Sequence, residues 1–189
     1  MEFVQPIRDE RKIEAIKKVL KGRSLRDHCL FVLGINSGLR ISDLLNLTVA
    51  DVLDEKGKPK DRITLREQKT GKAKDFPIGT TTVRALKEYL DSQSDLYGTQ
   101  ALFPSRKGGG PITRQHAYRI INEAARAVGV TDEIGTHTLR KTFGYHAYKQ
   151  GIDVTRIQKL LNHSAPSVTL AYIGITREEL DNVYLSLNL

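Results

Sequence analysis

The sequence predicts a mostly α-helical domain with one small antiparallel β-sheet. Apolar residues recur at helical spacing along most of the chain, as in the stripe formed by Ile13, Ile16, Val19 and Leu20. One stretch, residues 62–68, alternates with a period of two, and a turn and a second extended stretch follow it. Because the 189 residues contain no internal repeat and no long linker, we expect a single domain with its own core.

Residues that start or stop helices mark the predicted boundaries. Ser24 and Asp153 have the side chains that cap helix N-termini, Pro166 suits a first helical turn, and Thr176 begins a capping box with Glu179. The predicted helices cover residues 9–21 (ended by Gly22), 24–37 (ended by Gly38), 41–47, 82–92, 113–128, 138–150, 154–161, 166–172 and 178–187. The helix at 24–37 is apolar nearly all round, so we expect it to be buried.

The predicted sheet is a hairpin. Arg62–Gln68 and Lys74–Ile78 read as strands, and Lys69-Thr70-Gly71-Lys72 forms the tight turn between them. Further along, residues 102–104 predict a short extended piece and residues 107–111 a flexible glycine-rich loop.

The charge balance favours a polyanionic partner. Lys and Arg number 30 against 22 acidic residues, which gives a net charge of +8 and a pI near 9.6. A basic surface that serves only solubility is the alternative. The single cysteine, Cys29, lies in an apolar run and excludes an intrachain disulfide framework. With no signal pattern and no apolar run of about 20 residues, we expect a protein of a bacterial-type cytosol.

Six polar residues, spread over most of the chain, could converge on one phosphate. Arg40 lies in a Gly-Leu-Arg segment, Lys69 in the hairpin turn, and His137 and Arg140 form a His-x-x-Arg motif. His163 follows, and Tyr172 comes nine residues later. Each residue alone is more typical of an ordinary surface, turn or core position; the ordered set is informative.

This ordered set resembles the tyrosine recombinase (phage integrase) family. In that family an Arg, a Lys, a His-x-x-Arg, a His or Trp, and a Tyr follow one another in this order. The resemblance runs from about residue 10 to about residue 185 and implies the catalytic-domain fold of the family. It also implies that the protein cuts and rejoins DNA through a 3′-phosphotyrosine, in the recombination or integration of phage or other mobile DNA.

The chemistry explains these residue types. Attack at phosphorus builds negative charge, which the planar guanidinium groups of Arg40 and Arg140 can bind from two sides. Tyrosine has a free pKa of about 10, so ionising it at pH 7 costs about 4 kcal/mol unless cations or a base assist. His137 is the candidate base, and His163 would donate to the phosphate and position Tyr172.

The resemblance assigns the remaining roles. Lys69 would protonate the leaving 5′-oxygen, with Lys72 as the alternative, and Asp43 would support Arg40. The reaction would need no cofactor, metal or ATP. Further DNA contacts are predicted for basic residues in and beyond the hairpin: Lys72, Arg106, Lys107, Arg114, Arg119 and Lys141. The expected partners are double-stranded DNA, further copies of the chain as a dimer or tetramer, and accessory DNA-bending proteins, with no membrane.

We expect the whole chain to be one catalytic domain, with a core over about 10–175 and a C-terminal helix over about 176–189. That helix would dock on a neighbouring protomer or fold back on its own core, and we expect the N-terminal core-binding domain of the family to be absent from this chain. Two alternatives to the recombinase are a catalytically inactive DNA-binding relative and a type IB topoisomerase. The His-x-x-Arg motif favours the recombinase, because those topoisomerases usually carry Lys in place of this His.

Overall fold

The computed structural model of the protein describes residues 4–93, 97–106, 108–175 and 177–187. Within them the chain is mostly helical with a two-stranded antiparallel sheet, which confirms the predicted fold class. The elements are α1 (Glu10–Arg23), α2 (Leu25–Ser37), α3 (Ile41–Leu45), α4 (Val49–Val52), β1 (Arg62–Arg66), β2 (Ala73–Pro77), α5 (Thr80–Asp91), α6 (Arg114–Ala127), α7 (Thr138–Lys149), α8 (Val154–Leu160), α9 (Pro166–Ile173) and α10 (Arg177–Leu187).

Helix α2 forms the centre of the core and packs against α1, α5 and α7. Its apolar side chains are buried on nearly all sides, as predicted. The Ser24 side chain caps its first turn, and Gly38 ends it with a φ of 60°, a left-handed conformation that glycine adopts without steric cost. Cys29 is fully buried in this helix, and burial raises the pKa of its thiol.

One predicted helix end was wrong, and one short helix was not predicted. Helix α1 continues through Gly22 to Arg23, because a glycine on an exposed face costs only about 1 kcal/mol and Ser24 ends α1 by turning extended. Helix α4 was not predicted; it is a single turn held by a capping box in which Thr48 and Asp51 bind each other's backbone N–H groups.

The hairpin forms where predicted, although β1 ends two residues earlier than predicted and β2 lies one residue earlier at the predicted length. Ile63 pairs with Phe76 and Leu65 with Lys74, so these side chains alternate onto the inner face of the hairpin. The turn between the strands projects Lys69 and Lys72 into solvent. The inner face therefore carries one lysine, Lys74, at a position where an apolar residue would be expected.

Helices α7, α8 and α9 pack together at the C-terminal end of the core. Helix α10 follows them with its apolar face uncovered, since Val183, Tyr184 and Leu187 are all exposed. It does not fold back on the core through these residues. The predicted capping residue Thr176 lies outside the described residues, as does the side chain of Leu180. No helix in the described part of the chain is long and apolar enough to span a membrane.

Candidate active site

Tyr172 lies at the centre of the predicted constellation, in the last turn of α9. Its hydroxyl is 3.2 Å from Nδ1 of His137, and its ring lies edge-on to the ring of His163 at 4.8 Å between centroids. The Nζ atom of Lys141 lies 5.0 Å from the centroid of the same ring. Residues from two other segments, the start of α7 and the loop that contains His163, therefore surround this tyrosine.

Helix α7 supplies both residues of the His-x-x-Arg motif. His137 is the N-terminal cap residue of this helix, and Arg140 follows in its first turn. Arg140 is only 2% exposed and donates to the carbonyl oxygens of Gly38, at 2.6 Å, and of Leu161. These two carbonyls follow the ends of α2 and α8, where the helix dipole favours a cation. They fix the guanidinium and leave further N–H groups for another acceptor.

Arg40 approaches the same site from the N-terminal end of α3. Its Nη1 lies 2.9 Å from Oε2 of Glu67, which is fully buried and also accepts from the Thr70 hydroxyl at 2.7 Å. The prediction that Asp43 supports Arg40 was therefore wrong, because Arg40 pairs with Glu67. Asp43 is buried, but its Oδ1 accepts from the backbone N–H of Gln68 at 2.9 Å, because its place on α3 faces the hairpin turn.

A cavity of about 360 Å³ joins the remaining groups. Arg40, Lys69, Arg114 and His137 all line it, so the turn lysine and the motif histidine face the same space. Lys72 lies on the same turn but does not line this cavity. The geometry therefore favours Lys69 over Lys72 as the residue nearest the site.

The ionisable groups are tuned by burial and by the two arginines. Burial, reinforced by Arg140, lowers the pKa of His137, so its imidazole is neutral near pH 7 and can accept a proton. Burial, with Arg140 and Arg40, lowers the pKa of His163 to about 4. Burial raises the pKa of Tyr172, while Arg140 opposes this through its charge and a hydrogen bond. The tyrosine is therefore protonated at rest.

The predicted DNA-contact residues fall into two groups. Lys72, Arg106, Arg114 and Arg119 are exposed, whereas Lys141 is half-buried against the ring of Tyr172. Lys107 lies outside the described residues. Lys141 is thus placed inside the constellation and not on an outer surface.

Sequence reasoning missed two residues of the site, Glu67 and Lys74. The Nζ atom of Lys74 donates to the carbonyl oxygens of Leu160, at 3.1 Å, and of Ser37, at 3.4 Å. Burial, followed by the charge of Arg140, lowers the pKa of Lys74 to about 8. The alternation of the hairpin could have indicated both residues. Glu67 comes two residues after Leu65, and Lys74 comes two residues before Phe76, so each falls at an inward position.

Comparison with known proteins identifies the family of the chain. The model of the phage integrase family matches residues 8–179. A probable integrase/recombinase of Bacillus subtilis, YoeC, is 46% identical over 94% of the chain and 93% of its own length. The tyrosine recombinase XerC of Pelobacter propionicus is 35% identical over 85% of the chain, which spans 51% of that relative.

Solved structures show the same fold at lower identity. A crystal structure of XerA recombinase aligns with the whole chain at a TM-score of 0.78 and 22% identity, with 66% of that protein covered. The recombinase XerH, in a post-cleavage complex with its difH substrate, aligns with 93% of the chain at a TM-score of 0.72, with 49% of XerH covered. From the family match, the close Bacillus relative and the shared fold, we conclude that this chain belongs to the phage integrase family of tyrosine recombinases.

Proposed function

We propose that the protein cleaves and rejoins DNA strands in site-specific recombination or integration, with Tyr172 as the nucleophile. One observation carries the proposal: the Tyr172 hydroxyl lies 3.2 Å from Nδ1 of His137, in the same site as the buried guanidinium of Arg140. A protonated tyrosine beside a neutral imidazole and fixed cations is the arrangement that nucleophilic attack on a phosphodiester requires.

The proposed reaction exchanges one phosphodiester for another. The Tyr172 oxygen attacks phosphorus and its proton passes to His137, while the bond from phosphorus to the 5′-oxygen breaks. Lys69 supplies the proton that the leaving 5′-oxygen needs, which gives a 3′-phosphotyrosine and a free 5′-hydroxyl. Rejoining reverses these steps with another 5′-hydroxyl as the nucleophile, so the energy of the bond is retained.

Arg40, Arg140 and His163 would hold the scissile phosphate. In other enzymes, the loss of one such donor costs about 3–4 kcal/mol of transition-state stabilisation. Glu67 and the carbonyls of Gly38 and Leu161 hold the two guanidinium groups before substrate arrives. A preorganised pair of this kind spends little free energy on reorganisation during the reaction.

The proposed partners are double-stranded DNA and further copies of the chain. Four exposed basic residues (Lys72, Arg106, Arg114 and Arg119), of which Arg114 lines the cavity at the site, would contact phosphates. Among the solved structures that share the fold, a lambda integrase is a dimer bound to a COC′ core site. The exposed apolar face of α10, with Val183, Tyr184 and Leu187, would then dock on a second copy.

The test is a covalent adduct. The protein is incubated with nicked and supercoiled duplexes that carry candidate target sites, and a denaturing gel separates protein joined to DNA. We expect an adduct that disappears in Tyr172→Phe and persists in Tyr148→Phe, a control on α7. DNA binding without an adduct would favour an inactive DNA-binding relative, and relaxation of supercoils without strand exchange would favour a type IB topoisomerase.

A further inference from the structure

Residues 5–8 form a strap that runs along α7, on a stripe of polar side chains beside the His-x-x-Arg motif. The Thr138 hydroxyl donates to the carbonyl of Gln5 at 3.0 Å, and the N–H of Ile7 donates to the Thr142 hydroxyl at 2.9 Å. His146 Nε2 donates to the carbonyl of Ile7 at 2.9 Å. Positions 138, 142 and 146 recur every four residues, so they lie on one face of the helix. The strap is therefore bound to α7 through its backbone.

Arg8 extends from this strap to the end of the nucleophile helix. Its Nη2 donates to the carbonyl of Gly174 at 2.9 Å and to Oε1 of Gln5 at 2.9 Å. Its guanidinium also lies 5.4 Å from the ring centroid of Tyr145 on α7. Gly174 is the left-handed residue that ends α9, with a φ of 70°, and it comes two residues after Tyr172. One side chain thus joins the strap, α7 and the end of α9.

The position of this contact matters because Tyr172 is in the last turn of α9. The middle of the helix is held through Thr169, whose hydroxyl lies 3.0 Å from Nδ1 of His163. Ile173 packs against Gly144, where a Cβ atom would come within 2.7 Å of the isoleucine side chain. Arg8 adds a charged hydrogen bond at the helix C-terminus, where the unpaired carbonyls favour a cation.

We propose that Arg8 is a positioning residue for the nucleophile, which holds the end of α9 against α7 so that the Tyr172 hydroxyl stays within reach of His137 and the phosphate. This inference rests on the proposed function, since it assigns Tyr172 as the nucleophile. Arg8 touches no reacting atom. Misplacement of a nucleophile by about 1 Å can cost about 100-fold in rate, so the loss of this contact should be measurable.

A comparison of two reactions distinguishes whether Arg8 positions Tyr172 or supports the site as a whole. Cleavage of a duplex requires attack by Tyr172. Joining of a strand that ends in a 3′-(p-nitrophenyl phosphate) does not, because an incoming 5′-hydroxyl attacks phosphorus, its proton passes to a base, and p-nitrophenolate leaves. Joining has to proceed in Tyr172→Phe, and all variants are compared for joining in that background, because an intact Tyr172 could itself displace p-nitrophenolate.

We expect Arg8→Met, which keeps the aliphatic stem but removes the donors, to slow cleavage about 10- to 100-fold and to change joining less than about threefold. Arg8→Lys, which keeps a cationic donor, should recover part of the cleavage rate. Arg11→Met is the matched control, because the Arg11 side chain is 97% exposed, and it should match the wild type in both reactions.

Two other results with Arg8→Met would overturn the inference, and one result with the wild type would refute the proposed function. Equal slowing of both reactions by Arg8→Met would overturn the inference, since Arg8 would then support the phosphate site or the fold as a whole. An unchanged cleavage rate would overturn it as well. Failure of the wild type to form an adduct through Tyr172 would instead refute the proposed function, and that measurement is made before any Arg8 variant is compared.

Discussion

The orientation of Arg40 depends on the carboxylate of Glu67. Burial alone would raise its pKa, but hydrogen bonds from Thr70, Arg40 and Asn162 outweigh burial and hold the pKa below its usual value. The side chain of Glu67 has no exposed surface, and that of Arg40 is 15% exposed. We expect Glu67→Gln to lower the free energy of unfolding by about 3 kcal/mol, because a buried cation loses its counter-charge.

The same substitution should slow adduct formation at least about tenfold, since Arg40 would no longer be fixed before the phosphate arrives. Asp75→Asn is the matched control, because it makes the same chemical change on the same hairpin. Asp75 pairs with Arg62 where both side chains are about half exposed, so solvent screens the pair. Urea unfolding and a single-turnover adduct assay measure both variants; equal effects would contradict the role given to Glu67.

The lowered pKa of His163 predicts how the stability of the protein depends on pH. Its folded pKa of about 4 lies below the value of about 6.5 expected in an unfolded chain. Between these values the unfolded chain binds a proton that the folded chain does not, so stability falls as the pH falls. The free energy of unfolding of the wild type minus that of His163→Gln should be constant above pH 7 and should decrease from pH 6.5 to pH 4. A constant difference across that range would show that His163 is not held neutral.

At the scale of elements, the ends of α2 and α8 together form a cation-binding corner. The carbonyls of Ser37 and Leu160 accept from Lys74, and the next carbonyl in each segment, Gly38 and Leu161, accepts from Arg140. Two helix C-termini therefore hold two cations side by side. The position of Arg140 depends on where these helices end, and Gly38 sets the end of α2.

We expect Gly38→Ala to destabilise the protein by more than about 2 kcal/mol, because it adds left-handed strain and a Cβ atom 2.6 Å from Phe143. It should also slow adduct formation, since the carbonyl that holds Arg140 would move. Gly57→Ala is the control: Gly57 has a φ of 72° but nothing within 4 Å of an added Cβ, so it should cost only about 1 kcal/mol of strain. Urea unfolding measures both; equal costs would show that the contact with Phe143 is relieved.

The elements also show what the sequence could predict. Local signals were sufficient for α2, where Ser24 and Gly38 mark both ends, and for the hairpin, where alternation and a glycine turn coincide. They failed at Gly22, since an exposed glycine lowers helix stability without ending a helix. They also missed the single turn of α4. This turn is too short to show a helical period, and its capping box and its hydrogen bonds to the segment around Gly98 and Gln100 stabilise it.

For the site, spacing and order predicted residues that lie together in the structure, but not their hydrogen-bond and ion-pair partners. Tyr172, His137 and Arg140 lie together as predicted, although 35 residues separate the histidine from the tyrosine. The ion pair of Arg40 with Glu67 could not be read from α3 alone, where Asp43 was the nearest acid along the chain. The packing of the hairpin against α3 decides that pairing, and this packing has no local signature in the sequence.

At the scale of the whole molecule, α10 stands out because its side chains over residues 181–187 are all exposed. Its Glu179 accepts from the Tyr145 hydroxyl at 3.0 Å, yet Tyr184 is 80% exposed and Leu187 58% exposed. Residues 184 and 187 lie on one face of the helix, so this face can cover a second copy without unfolding the first. Substituting both with Ser should therefore leave the free energy of unfolding of the isolated chain nearly unchanged.

The same double variant, Tyr184→Ser with Leu187→Ser, should weaken assembly on DNA. We expect native gels to show complexes with fewer protomers per duplex, and strand exchange between duplexes to fall at least about tenfold. Cleavage at a single half-site should be retained, because Tyr172 already lies beside His137 of its own chain. If strand exchange and complex size were both unchanged, the exposed face of α10 would have no role in assembly; if the isolated chain lost stability, that face would instead belong to its own core.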